Sequence, residues 1–338
     1  MTLNLYRAGT GTPLVLIHGI GHRWQAWLPV IPALARHHEV IAIDLPGFGA
    51  SPPPAARAVL GDMRASIRLL AEALSELGFD RPHVAGYSLG GAMSLELAAA
   101  GLCASATAFS PAGFFTEAQR RHALRQLNAM RASTFAPGPL IWATMASPRM
   151  RARSYGALVA HPERISPEVA YQDALAMRRA RGFRAVARAG RGYRFDGVPA
   201  VPVTVAWGER DRIFPATQLD VARTRLPRAR HVVLPDCGHV PMTDDPGLVV
   251  ATILATTAPA QPCGGEGGAH VAGLLRPGGW LVAQEPLRTP PPASHPELTA
   301  LAAYWALLPP SRSTNSWTAC AAPGMATTDG SPHRSSST

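Results

Sequence analysis

The chain is expected to fold as an α/β protein. A mostly parallel sheet carries helices on both faces, a helical cap is inserted between two strands, and a Pro- and Gly-rich tail follows. Three observations predict this. Short apolar runs alternate with helical patterns through the first third. From about Pro111 to Arg194, helical stripes continue with no strand pattern between them. Strand patterning then resumes at Val201 and again at His231. Strands that read as continuous apolar runs are buried on both faces, the habit of parallel sheets covered by helices.

The elements follow in order. Pro13-Leu-Val-Leu-Ile17 is a continuous apolar run with β-branched residues and reads as a buried strand. Val40-Ile-Ala-Ile43 is a second. Asp62 is an N-cap candidate for a helix with Met63, Ile67, Leu70, Leu74 and Leu77 on one stripe, and Gly78 is its stop. His83-Val-Ala-Gly86 is a short strand, and Leu89 to Ala100 a helix directly after it. Leu124, Leu127 and Met130 mark a stripe of the helical insert. Val201-Pro-Val-Thr-Val-Ala206 and His231-Val-Val-Leu234 return to strand. The expected division is a core of residues 1–110 and 196–257, a helical cap of 111–195 and a tail of 258–338. Such an insert is expected over the end of the sheet as a lid. Much of the tail is expected to be poorly ordered. Within it, Leu274 to Ala283 reads as a turn feeding a strand and Leu298 to Leu308 as a short helix.

At 338 residues and 47% hydrophobic, the chain is long enough for one or two buried cores. Its longest apolar runs fall far short of the ~18 residues of a membrane helix, so no span is expected. The first sixteen residues lack the basic start and long apolar stretch of a signal peptide, and a cytoplasmic location is expected. Cys103, Cys237, Cys263 and Cys320 are too scattered for a disulfide framework or a Cys-rich zinc site. The net charge is +10, and every basic residue is Arg. Between Pro111 and Phe195, 15 arginines stand against Glu117, Glu163, Glu168 and Asp173. A basic stripe attracts nucleic acid or anionic substrates. No nucleic-acid reader motif accompanies this one, so nucleic acid is not expected as a partner. A solvated Arg-rich surface is the simpler reading.

The chemistry sits in Gly86-Tyr-Ser-Leu-Gly90, a G-x-S-x-G element between a strand and a helix. A sharp turn there exposes the Ser88 hydroxyl and demands small residues at 86 and 90. The helix N-terminus places positive dipole charge beside a developing oxyanion. A serine hydroxyl is a poor nucleophile near neutral pH and needs a base, and the base needs an orienting carboxylate. His239 is the base candidate, in a loop just after the strand ending at Leu234. His22, His37, His38, His122 and His161 read as loop or helical surface residues. Asp211, in Trp207-Gly-Glu-Arg-Asp211, is the acid candidate, with Glu209 and Asp236 as competitors. The order Ser88, Asp211, His239 is nucleophile, acid, base, each following a strand end where an open α/β sheet gathers its site. The oxyanion donors are expected to be the backbone amides of Leu89 and of Ile20, in the loop His18-Gly-Ile-Gly21. His18 reads as a brace for that loop.

With these motifs in place, the sequence resembles the α/β-hydrolase superfamily, in its cap-bearing esterase, lactonase and carbon–carbon hydrolase branch. The matching elements are Leu16-Ile-His-Gly-Ile-Gly21, Asp44-Leu-Pro-Gly-Phe-Gly-Ala-Ser51, Gly86 to Gly91, Trp207 to Asp211 and Gly238-His239, spanning roughly residues 3 to 257. The resemblance implies an α/β-hydrolase fold, a small-molecule acyl substrate, and no metal and no organic cofactor. Members resembling haloalkane dehalogenases and epoxide hydrolases carry Asp at the nucleophile, so Ser88 disfavours those chemistries. Asp44 falls in a turn that family members use structurally. Gly19, Trp24 and Tyr87 are substrate-binding candidates; Trp24, Trp27 and Tyr87 flank the pocket, with packing as an equal alternative. The start near the second strand of the usual fold suggests that an edge strand is missing. Leu275 to Pro286 resembles a late strand region of class I methyltransferases, but the glycine-rich cofactor loop is absent, so a fragment without transferase activity is expected.

The expected activity is therefore a serine hydrolase cleaving a small carboxylic ester, lactone or related acyl compound. The basic insert points toward an anionic one. Carbon–carbon hydrolysis, acyl transfer and perhydrolysis use the same three residues. A non-catalytic binding protein on the same scaffold is the alternative of another class, and the presence of all three residues argues against it. The sequence leaves the oligomeric state open.

Overall fold

The computed structural model describes residues 2–258. The expected turn at 274–283, the helix at 298–308 and the methyltransferase-like segment lie outside the described residues. The chain runs β1 (Leu5–Ala8), β2 (Pro13–Ile17), α1 (Ile31–Leu34), β3 (Glu39–Ile43), α2 (Met63–Glu76), β4 (His83–Tyr87), α3 (Leu89–Ala99) and β5 (Ser105–Phe109). Five helices come next: α4 (Glu117–Ser133), α5 (Gly138–Ala146), α6 (Pro148–Tyr155), α7 (Pro167–Arg179) and α8 (Phe183–Ala189). Then come β6 (Val203–Gly208), α9 (Gln218–Arg225), β7 (Arg230–Leu234), α10 (Pro241–Asp244) and α11 (Pro246–Thr257). No described helix is long and apolar enough to cross a membrane.

The strands form one sheet in the order β1-β3-β2-β4-β5-β6-β7. β1 pairs antiparallel with β3, Leu5 opposite Ile43, and every other neighbouring pair is parallel. The order of connection reverses at β2, so the loops leaving β2 and β4 diverge and open a crevice at their carboxyl ends. Leu14 to Ile17 on β2 and Val40 to Ile43 on β3 are wholly inaccessible, as continuous apolar runs require.

Two strands escaped the sequence pattern. β5 reads Ser-Ala-Thr-Ala-Phe, without a run of bulky β-branched residues, yet all five positions are buried. It lies inside the sheet between β4 and β6, where α3 and α11 pack directly against it. Small side chains suit that close approach. β1 is a short edge strand, specified by its antiparallel pairing rather than by its own composition.

Helix ends follow local chemistry. Asp62 Oδ1 accepts the Ala65 amide at 3.2 Å to start α2, and Gly78 takes φ +84° beyond its end. Leu77, expected on the buried stripe, is exposed at that C-terminus. A capping box opens α4: the Thr116 hydroxyl accepts the Gln119 amide, and the Gln119 side chain accepts the Thr116 amide. α3 is apolar nearly all round because it is buried on all sides.

Candidate active site

Ser88 is the first residue after β4 and precedes the first turn of α3. Its backbone is held at φ +56°, ψ −117°, a left-handed conformation that costs a non-glycine residue on the order of 1–3 kcal/mol. The neighbouring glycines make this turn possible. A Cβ on Gly86 would lie 2.2 Å from the Gly90 carbonyl oxygen, and one on Gly90 would lie 2.2 Å from that of Ile17. A Cβ on Gly19 would meet the Tyr87 ring at 2.7 Å and Ser88 Cβ at 3.2 Å. The loop after β2 therefore lies directly against the serine.

Among the described residues, neither the Ile20 nor the Leu89 amide has a hydrogen-bond partner. Both residues line one cavity with Ser88, of about 400 Å³ and largely apolar, walled by Leu124 and Val186 of the helical segment and by Phe214. Two unpaired amides beside a serine are suited to a developing oxyanion.

Asp211 and His239 meet because two loops are stitched together. The Glu209 amide donates to the Leu234 carbonyl at 3.0 Å, and the Arg210 amide to that of Cys237 at 2.8 Å. Gly208 permits the contact, since a Cβ there would lie 2.1 Å from the Gly238 carbonyl oxygen. His239 Nδ1 then donates to Asp211 Oδ2 at 2.8 Å, both side chains being buried. Asp211 Oδ1 accepts the Ile213 and Phe214 amides at 2.8 and 2.7 Å. The carboxylate is thus fully engaged, and His239 Nε2 remains the ring nitrogen available to a hydroxyl. The Phe214 ring sits edge-on to His239 with centroids 5.0 Å apart and also lines the cavity that Ser88 faces. Among the described residues Ser88 makes no hydrogen bond to His239; nucleophile–base contacts are often long in the absence of substrate.

The competing carboxylates are engaged elsewhere. Asp236 pairs with Arg210 at 2.6 Å and His161 at 2.9 Å, and Glu209 accepts the Asp236 amide at 3.1 Å. Asp44 accepts Asn4 Nδ2 at 2.7 Å and the amides of Trp24 and Ala50 at 2.8 Å, a structural turn. His18 braces the loop: its Nδ1 donates to the Gly19 carbonyl at 2.7 Å, and its Nε2 accepts the Leu45 amide at 3.0 Å. Burial brings its pKa down to about 4 against the opposing pull of Asp44, so it is neutral near pH 7.

Of the substrate-binding candidates, Gly19 lies against Ser88, Trp24 stacks on Tyr6 at 4.7 Å, and Tyr87 packs against Trp27 at 5.7 Å. Two expectations about histidines are corrected. His38 is buried rather than on the surface, held by Thr12 and Thr257 at 2.9 Å each. His22 is also largely enclosed: its Nδ1 meets Tyr87 Oη at 2.5 Å and its Nε2 lies 3.2 Å from Asp173 Oδ2. Asp173 comes from α7, and no local pattern in the sequence pairs it with the loop after β2. The same holds for Asp244, whose carboxylate accepts the amides of Ala160, His161 and Gly238 and so fixes the loop that carries His239. Among the described residues no group of three or more His, Cys, Asp or Glu side chains is placed to hold a metal ion.

Comparisons with known proteins identify the fold family. The model of a family described as alpha/beta hydrolase fold matches residues 12–246. The chain is similar to a dihydrolipoyllysine-residue acetyltransferase component of an acetoin cleaving system from Pseudomonas putida, 32% identical over 243 residues, 68% of this chain and 59% of that protein. It is also similar to a pimeloyl-[acyl-carrier protein] methyl ester esterase of Aeromonas hydrophila, 38% identical over 98 residues, 29% of this chain and 36% of the esterase. The chain thus spans less than two thirds of the length of these relatives. A solved thermophilic esterase from Thermogutta terrifontis superposes with a TM-score of 0.58 at 23% identity, covering 75% of this chain and 92% of that one, a likeness of fold.

Proposed function

The chain belongs to the α/β-hydrolase family, and from that premise we propose that it is a serine hydrolase cleaving a small carboxylic ester, lactone or related acyl compound through an acyl-enzyme. The observation that carries this reading is the buried bond between His239 and Asp211, beside the cavity onto which the strained Ser88 opens.

In this reading Ser88 Oγ attacks the acyl carbonyl as His239 Nε2 takes its proton. Asp211, already bonded to Nδ1, holds the ring in the required tautomer and stabilises the imidazolium that forms. The oxyanion is received by the amides of Ile20 and Leu89; losing one such donor typically costs ~100- to 1,000-fold in rate. His239 then protonates the leaving group, and water activated by the same ring releases the acid and restores Ser88. The small cavity suits a small-molecule substrate. Carbon–carbon hydrolysis, acyl transfer and perhydrolysis begin from the same attack, and a panel of esters, lactones, diketones and acyl acceptors separates them.

The reading is tested with Ser88→Ala. Turnover of p-nitrophenyl butyrate and labelling by a fluorophosphonate probe are both expected to disappear, with the fold retained by circular dichroism. Persistent labelling in that variant refutes the assignment.

A further inference from the structure

Next to the apolar cavity, along α4 and α8, lies a second concavity of about 740 Å³, and its lining is dominated by guanidinium groups. Arg121, Arg125 and Asn128 recur on α4 at positions i, i+4 and i+7, which puts them on one face. Arg184 and Arg188 of α8, one turn apart, oppose them, and Arg191 extends the row just beyond the helix. Arg120, Leu124 and Ala187 belong to the walls of both concavities, so the arginine groove adjoins the catalytic one along these two helices.

The charge in the groove is not balanced from within the protein. Glu117 is its one acidic lining residue, and it is already engaged by Arg120 and, at 3.8 Å, by Arg121. Among the described residues, Arg125, Arg184, Arg188 and Arg191 form no ion pair. Like charges one turn apart on a helix oppose the helix that carries them. The rows at 121/125 and 184/188 do so on two facing helices. The crowding is felt nearby: Arg131, packed over the Phe183 ring at 4.7 Å, has its pKa lowered first by burial and then by Arg184. The arginines of these two rows are exposed, but the concavity gathers them at one locus and focuses their field on an incoming anion.

A single carboxylate would meet one guanidinium and leave the rest unmatched. Phosphate offers several acceptor oxygens to the planar arginine fork, and a ligand with two or more phosphates answers both rows together. We propose that this groove binds a phosphorylated carrier, and that the acyl group reaching Ser88 arrives as an ester or thioester of a phosphate-bearing alcohol or thiol. This rests on the serine hydrolase reading and specifies its substrate class. For a thioester, a bond forms between Ser88 Oγ and the carbonyl carbon, and the carbon–sulfur bond breaks. The sulfur leaves as a thiol with the proton held by His239, and water then completes hydrolysis to the carboxylic acid.

The test compares butyryl-coenzyme A with butyryl-N-acetylcysteamine, the same thioester without phosphates, on the full chain. At low salt the KM for the coenzyme A thioester is expected to lie about tenfold or more below that of the truncated one. The ratio is expected to fall to about threefold or less in the charge-reversed R184E/R188E variant and in high salt. Equal KM values for the two thioesters, or a ratio that the double variant leaves intact, overturn the proposal. Calorimetry of coenzyme A against Ser88→Ala reads the groove without turnover. Binding that is lost on adding R184E/R188E supports it even if no thioester is cleaved, and absence of binding overturns it. Coenzyme A binding with no Ser88-dependent turnover of any ester would instead refute the hydrolase reading and leave the groove assigned. An acidic protein bound by the groove while coenzyme A is refused would overturn the carrier assignment.

Discussion

Asp173 Oδ2 on α7 lies 3.2 Å from His22 Nε2 in the loop after β2. The other oxygen of the same carboxylate accepts Arg23 Nε at 3.0 Å, and His22 passes the link on to Tyr87 Oη, next to Ser88. The helical segment is therefore tied to the loop that carries Ile20. Removing one partner of such a nearly buried pair costs about 3–5 kcal/mol. Asp173→Ala is expected to lose stability on that order in urea unfolding, and Asp173→Asn to lose less. Because the clasp positions the loop that carries the proposed oxyanion donor Ile20, kcat is expected to drop on the order of tenfold or more with a smaller change in KM. Burial alone would raise the pKa of Asp173, but His22 and Arg23 outweigh it and hold the carboxyl below its ordinary value. Its contribution is thus complete above the free aspartate value of about 3.9 and fades as pH falls through the lower folded value. A variant whose acid unfolding matched that of the wild type would contradict this.

Asp211 offers a second test, because in the proposed mechanism it orients His239 without touching the reacting carbonyl. Asp211→Asn keeps the size of the side chain but loses the charge that fixes the imidazole tautomer. A fall in kcat of about 10,000-fold is expected for p-nitrophenyl butyrate hydrolysis. The folded state is expected to persist, since the Asn oxygen still accepts the Ile213 and Phe214 amides that now meet Oδ1. A variant within tenfold of wild type would move the acid role elsewhere.

Much of this was legible in the sequence, and the reason differs by residue. β2 and β3 show as runs of bulky apolar residues because each is covered on both faces. Ser88, Asp211 and His239 show because each follows a strand end within a short pattern that local geometry demands. β5 stayed hidden because its burial is achieved with small residues under a closely packed helix. Asp173, Asp244 and the facing arginine rows were hidden for another reason. Their partners are set by the tertiary path of the chain, and nothing in the residues beside them reports it. His22 was misread on the same ground: its solvent exposure is decided by α7, which arrives from far along the chain.

The elbow makes a sharp stability prediction. A Cβ on Gly90 would lie 2.2 Å from the Ile17 carbonyl oxygen and 2.7 Å from that of His18, both backbone atoms that cannot swing aside. Gly90→Ala is expected to cost about 3 kcal/mol or more, and to fail in soluble expression or melt at a markedly lower temperature. Gly101 gives the contrast: at φ +71° with nothing within 4 Å, it is strained by an added Cβ but not obstructed. Gly101→Ala is expected to cost about 1–2 kcal/mol. Equal Tm values for the two variants would show that the elbow is not tightly packed.

His18 predicts how stability depends on pH. Its folded pKa is near 4 because burial disfavours the imidazolium, whereas the unfolded residue titrates near 6.5. In the folded state it therefore binds fewer protons, and stability rises with pH through this interval. The contribution is complete above pH ~6.5 and is lost as pH falls toward 4, to a total of about 3 kcal/mol. Its hydrogen bonds say the same: Nδ1 donates to Gly19 and Nε2 accepts from Leu45, a pattern open only to the neutral ring. Protonation would turn Nε2 from an acceptor into a donor facing the Leu45 amide. Urea unfolding of the wild type and of His18→Asn at pH 7 and pH 4.5 measures the effect. The variant is expected to be less stable at pH 7 and to show a distinctly smaller loss between the two pH values. Parallel losses in the two proteins would mean that a different group carries the acid sensitivity of the fold.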